Sequence, residues 1–359
     1  MISANQARID ICALKHNLRR VRQHVGQAKI IVVIKANAYG HGMLRVAQAL
    51  KGVDALAVAN IKEAIALRKV NVEDRILVLQ GFISSDELSL IERHRLDTVI
   101  HHPDQIDLLE KTKLAKPIVV WLKIDTGMHR LGIDHSISVS ALRRVSECRN
   151  TKQIVLMSHL ASADDVANPY TEQQIRLFES LYQPFDLAAS LANSAGILGF
   201  PRSHFDWVRP GIMLYGISPF HGGDGRSLDL RPVMTLMSRV IAINPIKKGE
   251  LLGYGGTWQA DQATRIAVIS IGYGDGYPRQ VSNGTPVLIR QRRFPIVGRV
   301  SMDMTCVDIG DSPIQVGEQV TLWGEGLPVE EIASRANTIA YELVCKLTQR
   351  VQFTSINEN

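Results

Sequence analysis

Between Ala13 and Gly216 the chain repeats one pattern: a short apolar run, then an amphipathic stretch. The runs are Ile30–Lys35, Ala55–Ala59, Ile76–Gln80, Thr98–His101, Ile118–Asp125, Ile154–His159, Leu187–Asn193 and Trp207–Leu214. They are rich in Val, Ile and Leu and lack polar alternation, which marks strands buried on both faces, as in a parallel sheet covered by helices. The segments Ile61–Arg68 and Thr171–Phe178 carry the helical spacing expected of that cover. Eight strand-and-helix units in about 200 residues predict an α/β fold closed into a (β/α)8 TIM-like barrel. An open doubly wound sheet is the alternative. Against it, no G-x-G-x-x-G follows the first run, and the residues able to do chemistry end many different runs, as they do in barrels.

After the turn-rich segment Ser218–Arg226 the pattern changes to period-two alternation with frequent glycines. Met234–Ile243, Arg265–Ile271, Pro286–Ile289 and Gln319–Trp323, with turn signals at Asn283-Gly284 and Lys247-Lys248-Gly249, predict a mainly antiparallel C-terminal β-domain. Pro328 opens a helix over Val329–Ala333, and a second helix holds Ile339–Leu347. The expected division is a barrel over residues 1–225, with the first residues through Ile11 open to pairing with the β-domain, and a β-domain over residues 226–359.

The 359 residues are 21% charged and 45% hydrophobic, the balance of a globular chain with a sizeable core. The net charge of +6 is spread along the chain, so a solvated basic surface explains it better than a nucleic-acid site. Cys12, Cys148, Cys306 and Cys345 have no metal-finger spacing and read as reduced thiols, and no histidine pattern marks a metal. Residues 1–8 lack an apolar signal core, and no apolar run reaches the ~20 residues that span a bilayer. A cytoplasmic protein with no membrane partner is the expectation.

Lys35 ends the first apolar run and enters the Gly-rich segment Ala36-Asn37-Ala38-Tyr39-Gly40-His41-Gly42. A lysine there either snorkels to water or sits desolvated, where its neutral amine can form a Schiff base. The segment Val33–Gly42 resembles the cofactor-lysine motif of alanine racemases, the pyridoxal-phosphate (PLP) enzymes that interconvert L- and D-alanine. Lys123–Gly132, Asn193-Ser194-Ala195-Gly196, Val208–Gly216, Gly253–Thr257 and Gly298–Asp303 resemble the family's other motifs in the family's order.

The resemblance implies that Lys35 carries PLP, with Tyr39, Asn193, Ser194, Gly211 and Ile212 around its phosphate. It sets Arg209 against the pyridine nitrogen, where most PLP enzymes use a carboxylate. A guanidinium only donates, so the ring would be a weak electron sink, which favours racemisation over transamination or decarboxylation. Two bases are needed, one on each face of Cα. The family assigns Lys35 to the D face and Tyr254, from a partner subunit, to the L face. A tyrosine ordinarily titrates near ~10, so a phenolic base needs help, and His159 is implied to link Tyr254 to Arg209. Arg130, Met302 and Asp303 are implied to bind substrate, with Lys123 as a possible carbamate beside Arg130. Asp164, Tyr273, Arg279 and Arg299 resemble an entrance corridor. The whole implies a homodimer with shared active sites, supplying D-alanine for peptidoglycan.

One residue departs from the pattern. Gln349, in Thr348-Gln349-Arg350-Val351-Gln352, stands where many relatives carry a tyrosine that crowds the substrate methyl, which leaves serine open as a substrate. A cofactor carrier on a similar barrel would lack the C-terminal domain, and a decarboxylase would want an acidic partner in place of Arg209. A broader amino-acid racemase is the nearest rival.

Overall fold

The computed structural model describes residues 4–183 and 185–357, so the reading of the first eight residues lies partly outside it. Eight parallel strands close into a barrel: Lys29–Val33, Ala55–Val58, Ile76–Val78, Asp97–Ile100, Ile118–Asp125, Thr151–Met157, Ala188–Ser190 and Trp207–Val208. The last pairs with the first through Trp207 against Lys29 and Val208 against Ile30, which completes the circle. The barrel expectation therefore holds and the open sheet does not.

Each strand buries both faces, and the two faces meet different partners. Ile31, Val33, Ala55, Ala57, Leu77, Val99, Trp121, Val155, Met157 and Trp207 fill the interior. Ile30, Val32, Ile34, Leu56 and Ile76 face outward into the larger core under the helices. Small alanines on the second strand stand in the same interior as two tryptophans whose rings meet edge to face at 5.6 Å. Near the strands' N-terminal ends, Asp97 accepts from Trp121 Nε1 (2.8 Å) and Arg75 Nε (2.6 Å), while the Arg75 guanidinium lies over both indole rings. That end is plugged, so chemistry is confined to the C-terminal mouth.

The second unit is an eight-stranded, largely antiparallel sheet centred on Met234–Ile246. Gln6–Asp10 pairs antiparallel with Met234–Met237 and parallel with Gln352–Ile356, so the N-terminal strand belongs to the β-domain sheet before the chain enters the barrel. Two helices, Val329–Arg335 and Ala340–Cys345, turn back toward the barrel mouth. The Glu330 carboxylate accepts from the Ser218 (2.9 Å) and Gly225 (3.0 Å) amides, fastening a rim loop of the barrel to the first of them.

Candidate active site

The first barrel strand stops at Val33, two residues short of the lysine. Lys35 opens a five-residue turn in which Ala36, Asn37, Ala38 and Tyr39 all have φ between 52° and 55°. Left-handed backbone costs a residue with a Cβ about 1–2 kcal/mol, so four in succession are strained.

Lys35 lines a cleft of about 1670 Å³ together with Tyr39, Lys123, Arg130, His159 and Arg209. Burial, and secondarily the Arg130 charge, lowers the pKa of its amine. Lys123 lies two residues past Trp121 on the same strand face, only 8% exposed. Desolvation, with Arg209 and Arg130 adding to it, brings its amine down to about 8. Arg209 is buried, and desolvation alone takes it to about 10. Its Nη1 donates to Ser190 Oγ, and its Nη2 to the carbonyls of Ser158 (2.5 Å) and Leu191 (3.0 Å). Its Nε has no protein partner among the described residues. Nη2 also approaches His159 Nδ1 at 3.4 Å. Because a guanidinium only donates, that Nδ1 accepts and the imidazole proton sits on Nε2. Burial and the surrounding cations hold His159 well below its ordinary pKa, hence neutral.

Across the mouth, Ser194 and the segment after the eighth strand meet. Ser194 Oγ accepts from the amides of Gly211 (2.9 Å) and Met213 (3.4 Å). A Cβ on Gly211 would fall 2.5 Å from Tyr39 Oη, so that phenol lies directly against the Gly211 backbone. Asn193 Oδ1 caps the following helix through the Gly196 amide at 2.9 Å. Hydroxyls of Tyr39 and Ser194 and the 211–212 backbone thus converge at the site where barrels bind phosphate, after strands seven and eight. A desolvated amine, a cation with a spare donor and a hydroxyl-lined cradle suit PLP: aldehyde, ring nitrogen and phosphate each meet the group that complements it.

The structure splits the residues singled out by sequence into two places. Lys35, Tyr39, Lys123, Arg130, His159, Asp164, Asn193, Ser194, Arg209, Gly211 and Ile212 all line one cleft. Tyr254, Tyr273, Arg279, Arg299, Met302 and Asp303 are not among its lining residues. Tyr254, 71% exposed, sits in a 3-10 turn at Tyr254–Gly256, with Arg299 Nη1 approaching Gly255. The Tyr273 and Gly274 amides bond to the Ser301 and Met302 carbonyls (3.0 and 2.8 Å), and Arg350 bridges Asp275 and Asp303. These form one exposed face of the β-domain. The entrance group is therefore divided: Asp164 borders this chain's cleft, ion-paired with His221 at 2.8 Å, whereas Tyr273, Arg279 and Arg299 do not. Gln349 occupies an exposed turn outside the cleft lining.

Tyr341, which sequence reasoning missed, also lines the cleft, its ring 6.0 Å from that of Tyr39. Burial raises the pKa of its phenol, so it stays neutral. Its only sequence signal was a position in the amphipathic helix after Ile339.

A closed parallel barrel with a desolvated lysine past its first strand and a buried arginine in the same cleft, joined to an antiparallel β-domain, fits the class of PLP-dependent amino-acid racemases. The comparisons carry this to a family. Residues 9–219 match the alanine racemase N-terminal domain model and residues 233–355 the alanine racemase C-terminal domain model. An alanine racemase of Aeromonas hydrophila is 49% identical over 347 residues, covering 96% of this chain and 97% of that one. The crystal structure of the biosynthetic alanine racemase from Pseudomonas aeruginosa superposes with a TM-score of 0.96 at 41% identity, covering 99% and 100% of the two chains. That of Bartonella henselae, solved with covalently bound pyridoxal phosphate, gives 0.89 at 31% identity, again covering 99% and 100%. The chain belongs to the alanine racemase family.

Proposed function

We propose that this chain interconverts L- and D-alanine by a two-base mechanism, supplying D-alanine for peptidoglycan. The observation that carries the reading is the Lys35 amine: desolvated, its pKa lowered further by the Arg130 charge, in one cleft with the buried Arg209. Lys35 would hold PLP through the cofactor's aldehyde, and the group would supply there the electron withdrawal that makes the substrate's α-proton acidic. Tyr39, Ser194, Gly211, Ile212 and Asn193 would hold the phosphate. Arg209, a donor only, would face the ring nitrogen and could not accept its proton, which would favour prompt return of a proton to Cα over side reactions.

Lys35 moves the proton on the D face. The L-face base is Tyr254 of a second copy, because this chain's own Tyr254 is exposed and outside its own cleft. Two copies set head to tail complete two sites, each using the barrel residues of one and Tyr254, Met302 and Asp303 of the other. In that site the neutral, Nε2-protonated His159 joins the phenol to Arg209. Arg130 binds the substrate carboxylate or the cofactor's phenolic oxygen. A carbamate on Lys123 would place an anion next to Arg130 and fix the direction of its guanidinium, and bringing the amine down to about 8 raises the share of the neutral form that takes up carbon dioxide. Tyr273, Arg279 and Arg299 then border the entrance together with Asp164. The proposed division is residues 1–225 for the barrel, less the N-terminal strand Gln6–Asp10 that pairs with the β-domain, and residues 226–359 for the β-domain.

The test is racemisation of L-alanine and L-serine in D2O by wild type and Tyr254→Phe. Wild type should form D-alanine with exchange of the α-proton, and the variant should lose exchange from the L enantiomer while still taking up PLP. Cofactor uptake without α-proton exchange in wild type sinks the racemase reading.

A further inference from the structure

We propose that Glu63 and His41 are positioning residues that clamp the left-handed turn bearing Lys35, Glu63 from the strand side and His41 from the far side. The proposal rests on Lys35 being the cofactor lysine. Four consecutive left-handed residues persist only where the surroundings over-determine them, and Ala-Asn-Ala-Tyr has no intrinsic preference for that backbone beyond the tolerance of Asn37.

Glu63 supplies the first constraint. Its Oε1 accepts from the Ala36 amide at 2.9 Å and its Oε2 from the Ala59 amide at 2.7 Å. One carboxylate thereby ties the first residue after Lys35 to the end of the neighbouring barrel strand. Both partners are N–H groups, which only an acceptor-only side chain satisfies on both oxygens, and the ionised acceptor strengthens each bond. Glu63 lies in the first turn of the helix Ile61–Lys69, where the helix dipole favours an anion, and Asn60 caps its amide at 3.1 Å. The same carboxylate is near enough to oppose the loss of charge on Lys35.

His41 closes the other end. It is fully buried, and its Nδ1 lies 3.1 Å from the Ala38 carbonyl and 2.8 Å from that of Tyr39. Both oxygens only accept, so Nδ1 carries the proton. The imidazole stacks on Tyr215 at 4.5 Å, Tyr215 Oη donates to the Val33 carbonyl at 2.9 Å, and the Tyr39 ring lies 5.0 Å from Tyr215 on the same stack. Tyr39 and the strand end before Lys35 are therefore locked to one buried ring pair. Asn37 Oδ1 adds a local bond to the Met43 amide at 2.8 Å.

The experiment uses the full chain as wild type, Glu63→Gln, Glu63→Asp and His41→Phe. Two quantities are read: the PLP dissociation constant of cofactor-free protein, and the pH dependence of Lys35 labelling by a small acylating reagent, followed by peptide mass spectrometry. Glu63→Gln turns one oxygen into an NH2 facing an N–H; it should weaken PLP binding about tenfold and move Lys35 labelling to lower pH. Glu63→Asp keeps the charge but is a methylene short, so affinity should fall with little movement in labelling pH. His41→Phe keeps the stack and loses the donor; affinity should fall about tenfold with labelling unmoved. The clamp is overturned if Glu63→Gln and His41→Phe bind PLP within about twofold of wild type. It is also overturned if Glu63→Gln loses affinity only in step with thermal stability while Lys35 labelling stays put. If Glu63→Gln does not fold, wild-type affinity in Glu63→Asp overturns it instead. Borohydride reduction of wild type with PLP separates the two readings: no adduct at Lys35 defeats the cofactor reading, and Lys35 labelling in the cofactor-free variants then decides the clamp alone.

Discussion

Lys123 shows how far position outweighs residue type. Its sequence offered a strand lysine; its place two residues past Trp121, inside the barrel, takes its amine to about 8 from an ordinary 10.5. Below pH 8 both folded and unfolded chains hold this proton, and the folded state bears the full burial penalty. Between about 8 and 10.5 the unfolded chain binds more protons, so unfolding free energy climbs with pH, by about 3 kcal/mol at most. In carbon-dioxide-free buffer, chemical denaturation of wild type should show this climb relative to Lys123→Met. The candidates Lys35, Arg130 and Arg209 were legible from their motifs, and His159 only through the resemblance. The protonation of Lys35 and His159 was not, because it follows from burial and from which cations share one cleft. Tyr341 was missed because an aromatic residue on an amphipathic helix looks the same in a core as at a cleft.

At the scale of elements, two glycines carry the close approaches that build the site. Gly40 has φ +80°, and a Cβ there would lie 1.9 Å from the Val344 carbonyl, where the lysine turn meets the last β-domain helix. Gly40→Ala should cost about 3 kcal/mol or more of unfolding free energy, from strained φ plus overpacking, measurable by urea denaturation. Gly211→Ala would drive its methyl into Tyr39 Oη. We expect PLP affinity to fall about tenfold, with a smaller change in stability, read by cofactor titration. Ile118–Asp125, Pro286–Ile289 and Gln319–Trp323 begin and end where their sequences predict. Two other strands end early for a physical reason. Trp207–Leu214 stops at Val208 because Pro210 and Gly211 break the ladder, and Ile30–Lys35 stops at Val33 because tertiary contacts twist the next residues left-handed.

For the whole molecule, the separation of Tyr254 from its own chain's cleft sets the decisive expectation. In the proposed head-to-tail pair, Lys35→Ala and Tyr254→Phe are each inactive alone. After denaturation and joint refolding, half the pairs are mixed and each mixed pair holds one intact site. About a quarter of wild-type activity should therefore return, read by D-alanine formation. No recovery would place both bases in one chain. Among the described residues, no helix is long and apolar enough to cross a membrane and no cluster of three or more candidate ligands could hold a metal. By itself the sequence determined the barrel and the β-domain and singled out candidate residues that share one cleft, because periodic burial and short motifs are local and survive in one dimension. Only the tertiary structure decided the left-handed turn that aims Lys35, the neutral state of His159 and the separation of Tyr254 from the cleft. Each depends on contacts between residues far apart in the chain, which no local spacing encodes.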